Sequence, residues 1–255
     1  GYIDHYTYVF PRLSARGIHG AFYPPSKVIL ERKILDVNRI HYILASRVNP
    51  AELVASIEEA ICAHLTEFDL EEPFTYREQF YKANRYDSAE VIYTKRLLQH
   101  VLPEELRHQL SSELFVRHVS PDEISFAEGL YMSLEQLQLM ASAGQHIGSH
   151  GDAHYWLGSL SKGRQREDIA NSLNLLDLID APVSCRTFCY PYGNYNDDTI
   201  ELLEEMGFRA AVTTEVDLAG LRPERRFKLP RLDTNDLPKS LEAPISSWTL
   251  ALECY

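Results

Sequence analysis

A chain of 255 residues, 45% hydrophobic and 24% charged, can bury a sizeable core as one large α/β domain or as two smaller ones. Its formal net charge of -12 argues against a nucleic-acid partner, because phosphate binding calls for clustered Lys and Arg. The same charge disfavours adsorption to anionic membranes, and no run approaches the roughly 18 apolar residues of a membrane span.

In chain order, Tyr6, Val9, Phe10 and Leu13 have helical spacing and Gly17 ends that helix. Ile18 to Tyr23 is a short apolar run, read as a strand, stopped by Pro24 and Pro25. From about Lys27 to Ala143 the pattern is helical almost throughout. Asn49 is placed to cap a helix with Pro50 at its first position and Leu53, Ile57, Ile61 and Leu65 on one face. Val91 to Val101 and Glu104 to Val119 predict two more helices. Ser120 to Glu123 and Ser133 with Gln136 look like capping boxes, and Gly144 closes the helix that starts at Leu134. With no glycine between Gly20 and Gly129, this stretch reads as a helical insertion or lid rather than a linker.

Beyond Gly144 strands and helices alternate. Gln145 to Ser149 is a strand, and Ser161 caps a helix carrying Ile169, Leu173, Leu176 and Ile179. Val183 to Tyr190 is the next strand, and Asp197 or Asp198 caps Thr199 to Met206. Phe208 to Thr213 and Phe227 to Leu232 are strands as well. Such alternation implies a parallel sheet or a barrel, whose ligands gather at the carboxyl ends of the strands. The four cysteines, Cys62, Cys185, Cys189 and Cys254, form no CxxC pair and read as buried reduced thiols. Cys185 and Cys189 fall in one predicted strand about two pleats apart, too far for a disulfide.

Three segments carry candidate chemistry. In Gly148-Ser149-His150-Gly151-Asp152-Ala153-His154 a strand runs into His150, and His154 follows four residues later in a segment free to form one helical turn. Both imidazoles can then reach one cation, with a carboxylate as third ligand and a position left for water. The alternative is two unrelated surface histidines; the strand-end position favours the metal. Phe188 to Gly193 ends another strand, where proline and glycine force a sharp exit that turns backbone N–H groups toward the mouth of the sheet. A plain strand-ending turn with packed aromatics is the simpler account of that segment. In Leu229 to Asp236, alternation puts Arg231 and Asp233 on one side. They either pair with each other, or Arg231 orients a catalytic carboxylate and Asp233 faces the substrate.

Together these segments resemble the polysaccharide deacetylase family, the NodB-homology or carbohydrate esterase family 4 domain. GQHIGSHGDAHYWLGSLS (144–161) looks like its histidine motif, and FCYPYGNYN (188–196) like the motif of the branch that has YPYG rather than RPPYG. GFRAAVTT (207–214) and KLPRLDTND (228–236) are similar to the strands that follow, and residues 1–25 to the segment just after the family's TFDDG motif. That alignment makes Gly1 the motif's glycine, so the two aspartates, a catalytic base and a metal ligand, would precede this chain. The resemblance implies His150 and His154 as the remaining metal ligands and the Tyr192 backbone amide as an oxyanion donor. The arginine of the RPPYG form falls at Cys189, and Arg186 is turned to the opposite face, so Arg231 is the implied partner of the missing aspartate. No histidine follows His154 to serve as the usual general acid, and nothing selects His100, His108 or His118 in its place.

The expected fold is therefore α/β: a distorted, incomplete (β/α) barrel lacking its first strand, from residues 1–26 and 131–255, with a long helical insertion or lid over 27–130. The expected function is metal-dependent hydrolysis of N-acetyl groups on a carbohydrate, with a divalent metal, zinc foremost, as cofactor. Two other readings stay open: an inactive sugar-binding or interaction module on the same fold, and an amidase acting on a non-sugar amide.

Overall fold

The computed structural model describes residues 1–220, 222–240 and 242–252. The chain divides into two compact units, one built from residues 1–32 together with the chain from Leu130 onward, the other from Lys33–Gly129.

The first unit opens with a π-helical turn, His5–Val9, that runs into α1 (Phe10–Ser14) and ends at Gly17, φ 64°. The strand expected over Ile18 to Tyr23 shrinks to β1 (Ala21–Phe22). Its neighbours spend their donors elsewhere. The Ile18 amide caps the preceding helix on the Leu13 carbonyl (3.0 Å), the Gly20 amide bonds the Gln145 side chain (2.8 Å), and Pro24 has no N–H to offer. The short α2 (Ser26–Leu30) follows.

The second unit is helical: α3 (Asp36–Ala45), α4 (Pro50–His64), α5 (Pro73–Phe80), α6 (Ala89–Arg96) with a π-helical extension Leu97–Val101, α7 (Glu104–His118) and α8 (Glu123–Leu130). Asn49 accepts the Ala51 amide (3.0 Å) and so caps α4. The α8 cap falls on Asp122, not Ser120: its carboxylate takes the Ser125 amide at 3.0 Å. Ile40, Ile43, Leu53, Ile57, Ile61, Tyr93 and Phe115 fill the core. Each such aliphatic side chain contributes about 1.5–3 kcal/mol on burial. Arg39, 3% exposed, sits on α3 and pairs with Asp36 (2.6 Å) and Glu123; Asp36 is also bonded by Ser111 (2.8 Å) and His108 (3.1 Å).

Back in the first unit, a full capping box of Ser133 and Gln136 starts α9 (Leu134–Ser142), and Gly144, φ 85°, turns the chain into β2 (His146–Ile147). Then come α10 (Lys162–Leu178), β3 (Thr187–Cys189), α11 (Asp197–Glu205), β4 (Ala210–Val212) and α12 (Ser247–Leu252). β1 pairs parallel with β2 (Ala21↔His146) and β3 with β4 (Phe188↔Ala211). Parallel bridges Ser149↔Phe188 and Val212↔Leu229 continue the order. Alternation thus yields parallel strands with helices between them, as the sequence implied.

Several local expectations are corrected. Val183–Cys185 is a 3-10 turn rather than strand, because the Cys185 amide bonds back to Pro182 (2.9 Å). Cys185 is consequently exposed, as is Cys62; Cys189 is buried, and Cys254 lies outside the described residues. Ser161 occupies the α10 N-cap without a side-chain cap bond. Asn196, not Asp197 or Asp198, caps α11: it exchanges bonds with Thr199, and both aspartates sit in the first turn, where the helix dipole favours them.

Candidate active site

The strand ends bring three loops of the first unit together. β2 continues to Ser149, whose amide and carbonyl bond Thr187 and Cys189 at 2.9 Å each, so His150 emerges beside the end of β3. His150 Nδ1 donates to the Cys189 carbonyl (2.5 Å), which fixes the tautomer and leaves Nε2 with its lone pair.

Residues 151–154 form no helical turn. Two left-handed residues, Gly151 (φ 71°) and His154 (φ 62°), fold the segment back instead, and the two imidazole centroids lie 4.8 Å apart. That approach is the expected one reached by a different backbone path. The loop is braced from two sides. Its Gly151 and Asp152 carbonyls accept the Ser26 and Lys27 amides of α2 (3.1 and 3.2 Å), and Ser26 Oγ donates to Asp152. Asp168 of α10 accepts the amides of Asp152 (3.1 Å) and Ala153 (3.0 Å).

Asp168 was not singled out from sequence, although a signal exists. It falls at buried helical spacing with Gln165, Ile169 and Ser172, an acid on a face that should be apolar. Burial pushes its carboxyl up to about 6, against the opposing pull of the two amides.

Burial also lowers both histidines. His150 falls to about 4, opposed by the Cys189 bond and helped by the Arg231 guanidinium. His154 falls to about 3 through burial and then the neighbouring His150. Both rings are neutral at physiological pH. Gly1 is held by its carbonyl on the Met132 amide (2.9 Å).

The Tyr190-Pro191-Tyr192-Gly193 exit is a 3-10 turn, Pro191–Gly193, in which Tyr192 is left-handed at φ 57°, ψ 8°. The Gly193 amide closes the turn on the Tyr190 carbonyl (2.9 Å). Gly193 has φ 69°, and a side chain there would run into Thr214. The Tyr192 ring lies 4.5 Å from that of His154 and stacks on Trp156 at 4.3 Å and 6°.

Arg231 and Asp233 take separate partners. Arg231 Nε donates to the Thr213 carbonyl (2.9 Å), and its guanidinium lies near the buried Cys189 thiol and acts on His150. Asp233 is exposed and caps a 3-10 turn, accepting from Asn235 N (2.8 Å) and Nδ2 (2.6 Å). His100, His108 and His118 belong to the other unit, where His108 contacts Asp36. A cavity of about 680 Å³, lined by His146, Asp180 and Arg186 among others, opens at the opposite, amino-terminal ends of β2 and β3.

The donor chemistry of the histidine pair fits a divalent cation in part. Both imidazoles are neutral, Nε2 of His150 is set free by its Nδ1 bond, and the buried Nδ1 of His154 has no hydrogen-bond partner. Among the described residues, no group of three or more His, Cys, Asp or Glu side chains is arranged to hold a metal.

Residues 110–211 match the family described as polysaccharide deacetylase. This span holds the histidine and YPYG motifs, so the resemblance read from them is shown over that part of the chain. Among individual relatives, YxkH of Bacillus subtilis (strain 168), named for the polysaccharide deacetylases, is 31% identical over 102 residues, 40% of this chain and 36% of that protein. The chain thus spans about a third of that relative's length. Among solved structures, the BpsB deacetylase domain from Bordetella bronchiseptica is similar over 91% of this chain and 67% of its own, at 15% identity and TM-score 0.46. IcaB from Ammonifex degensii is 31% identical, covering 41% of this chain and 49% of its own, with TM-score 0.34. The Streptococcus pyogenes deacetylase PplD in complex with acetate is 23% identical over 42% and 47%, with TM-score 0.39.

Proposed function

We propose that this chain is part of a metal-dependent carbohydrate N-deacetylase, built on a distorted (β/α) barrel. The observation that carries the reading is the pair of neutral, half-buried imidazoles 4.8 Å apart at a strand end, within a span that matches the polysaccharide deacetylases. A divalent cation such as zinc, when bound, supplies Lewis-acid polarisation of an acetamido carbonyl and of water. His150 presents Nε2 toward it, oriented by the Cys189 carbonyl, and His154 presents the nitrogen that no protein group satisfies. The backbone amide of Tyr192 donates to the oxygen that becomes negative as the tetrahedral intermediate forms. Arg231, held on the Thr213 carbonyl, orients a carboxylate that takes the proton of the attacking water. Asp233 meets a polar group of the substrate. The helical segment 27–130 acts as an insertion that tunes access.

The test is acetyl release from N-acetylated chito-oligosaccharides, followed by mass spectrometry, by the full-length parent protein. Chelation should abolish release, zinc should restore it, and His150→Ala should abolish it permanently. Release that survives both chelation and His150→Ala would refute the metal site. Sugar binding without any release would favour a binding module, and release from non-sugar acetamides alone an amidase.

A further inference from the structure

We infer that Trp156 is a positioning residue: it holds Tyr192 in the left-handed conformation that aims its amide, an inference that rests on the deacetylase reading. Tyr192, at φ 57° and ψ 8°, occupies a region that side chains other than glycine rarely adopt, and no local sequence preference keeps a tyrosine there. Its ring does. The phenol lies flat on the Trp156 indole, 4.3 Å away and 6° from parallel, and the ring of His154 meets it edge-on at 4.5 Å. A return of Tyr192 to negative φ would swing this ring off both.

The indole is itself fixed at its carboxyl side. Leu157 next to it is fully buried, the Gly158 amide donates to Asn194 Oδ1 (2.7 Å), and Asn196 Nδ2 donates to the Gly158 carbonyl (3.3 Å). A side chain at Gly158 would press on Asn194 and the Tyr195 backbone, so the two loops meet too closely to slide. Trp156 therefore transmits a fixed reference from the histidine loop to the YPYG turn. His154, a second left-handed residue, lies edge-on to the same Tyr192 ring but is held separately by the loop's own bonds to α2 and α10.

The test compares Trp156→Phe, which keeps a stacking ring, with Trp156→Ala and Trp156→Leu, which do not, in the full-length protein. The readouts are kcat and KM on an N-acetylated chito-oligosaccharide, zinc affinity, and amide exchange of the segment 188–196. Trp156→Ala should lower kcat about ten-fold, part of the loss seen when an oxyanion donor is removed outright. KM should stay within about two-fold, because the substrate's ground state gains little from that amide. Exchange in 188–196 should quicken, zinc affinity should hold, and Trp156→Phe should recover most of kcat and of the protection. Unchanged kcat in Trp156→Ala, an equal loss in the Phe variant, or a KM rise with intact kcat would overturn the inference. If Trp156→Ala does not fold, Trp156→Leu against Trp156→Phe decides on the same readouts. If the unaltered protein releases no acetate from any N-acetylated substrate, the deacetylase reading falls. The clamp is then judged by exchange alone, and equal protection in the Phe and Leu variants would refute it.

Discussion

Asp168→Asn isolates a single buried carboxylate beneath the histidine loop. The asparagine keeps the shape and one acceptor oxygen while removing the charge. The carboxyl is pushed from 3.8 up to about 6 because burial outweighs the amides of Asp152 and Ala153. The folded state therefore binds more protons at this site than the unfolded state between those two values. Stability from Asp168 is present below about pH 4, falls as pH rises, and is fully lost above about pH 6. With 1.36 kcal/mol per pKa unit, the ionised form costs the fold about 1 kcal/mol at pH 4.5 and about 3 kcal/mol at pH 7.5. The asparagine carries no such cost, so relative to wild type its stability should rise by about 2 kcal/mol between those pH values. Urea unfolding of both proteins at pH 4.5 and 7.5, taken as a difference of differences, measures this directly. A wild-type minus variant gap that stays constant across the range would refute the argument. A gap that moves the other way would show that the two amides, not burial, decide the ionisation.

Other perturbations test separate parts of the chain. On the proposed metal site, His150→Ala and His154→Ala should each weaken zinc binding by at least about ten-fold in competition titrations, since each removes one of the two proposed nitrogen donors. Gly193→Ala should destabilise by about 2 kcal/mol or more in thermal or urea unfolding, because a side chain there is strained at φ 69° and runs into Thr214. Arg39→Ala strips the partner from Asp36 and Glu123 in the helical unit. It should cost about 2 kcal/mol, discounted for the solvent that reaches both carboxylates, with acetyl release little changed in the folded fraction.

Regular features were legible in the sequence. Helical spacing found α4 and α7 within a residue or two, the Ser133 and Gln136 box was read as it stands, and strand–helix alternation gave the parallel pairing of β1 with β2 and of β3 with β4. Strand lengths were not legible, because apolar runs such as Ile18 to Tyr23 and Val183 to Tyr190 say nothing of where their amides go. The Ile18 amide caps a helix and the Cys185 amide closes a 3-10 turn, so each strand keeps only two or three residues. The histidine pair was found by spacing, but the spacing suggested a helical turn. Only the backbone reveals that a non-glycine residue, His154, takes the left-handed region instead. Asp168 stayed hidden for a different reason: its partners are main-chain amides, which leave no mark in a side-chain pattern.

The strands are too short to position the site by themselves, which explains where the precision comes from. His150 inherits its place from the ladder through the Ser149 bonds and the Cys189 carbonyl, one residue beyond the pairing. His154 and Tyr192 have no ladder at all, and both occupy backbone conformations that an unbraced loop would leave. What holds them lies outside the strands: Asp168 on α10 and the amides of α2 grip the loop between the histidines, Asn194 and Asn196 grip the loop after them, and the Tyr192 ring joins the two. Each brace is a partly buried polar bond to main chain or an aromatic stack, the kinds of contact that specify one geometry more strictly than apolar packing does. The same burial keeps both imidazoles unprotonated at neutral pH, so the nitrogens held in place are also in the form that can donate to a cation. Local strain and lowered basicity at this site therefore share one physical origin, the enclosure of two short loops by the helices beside them.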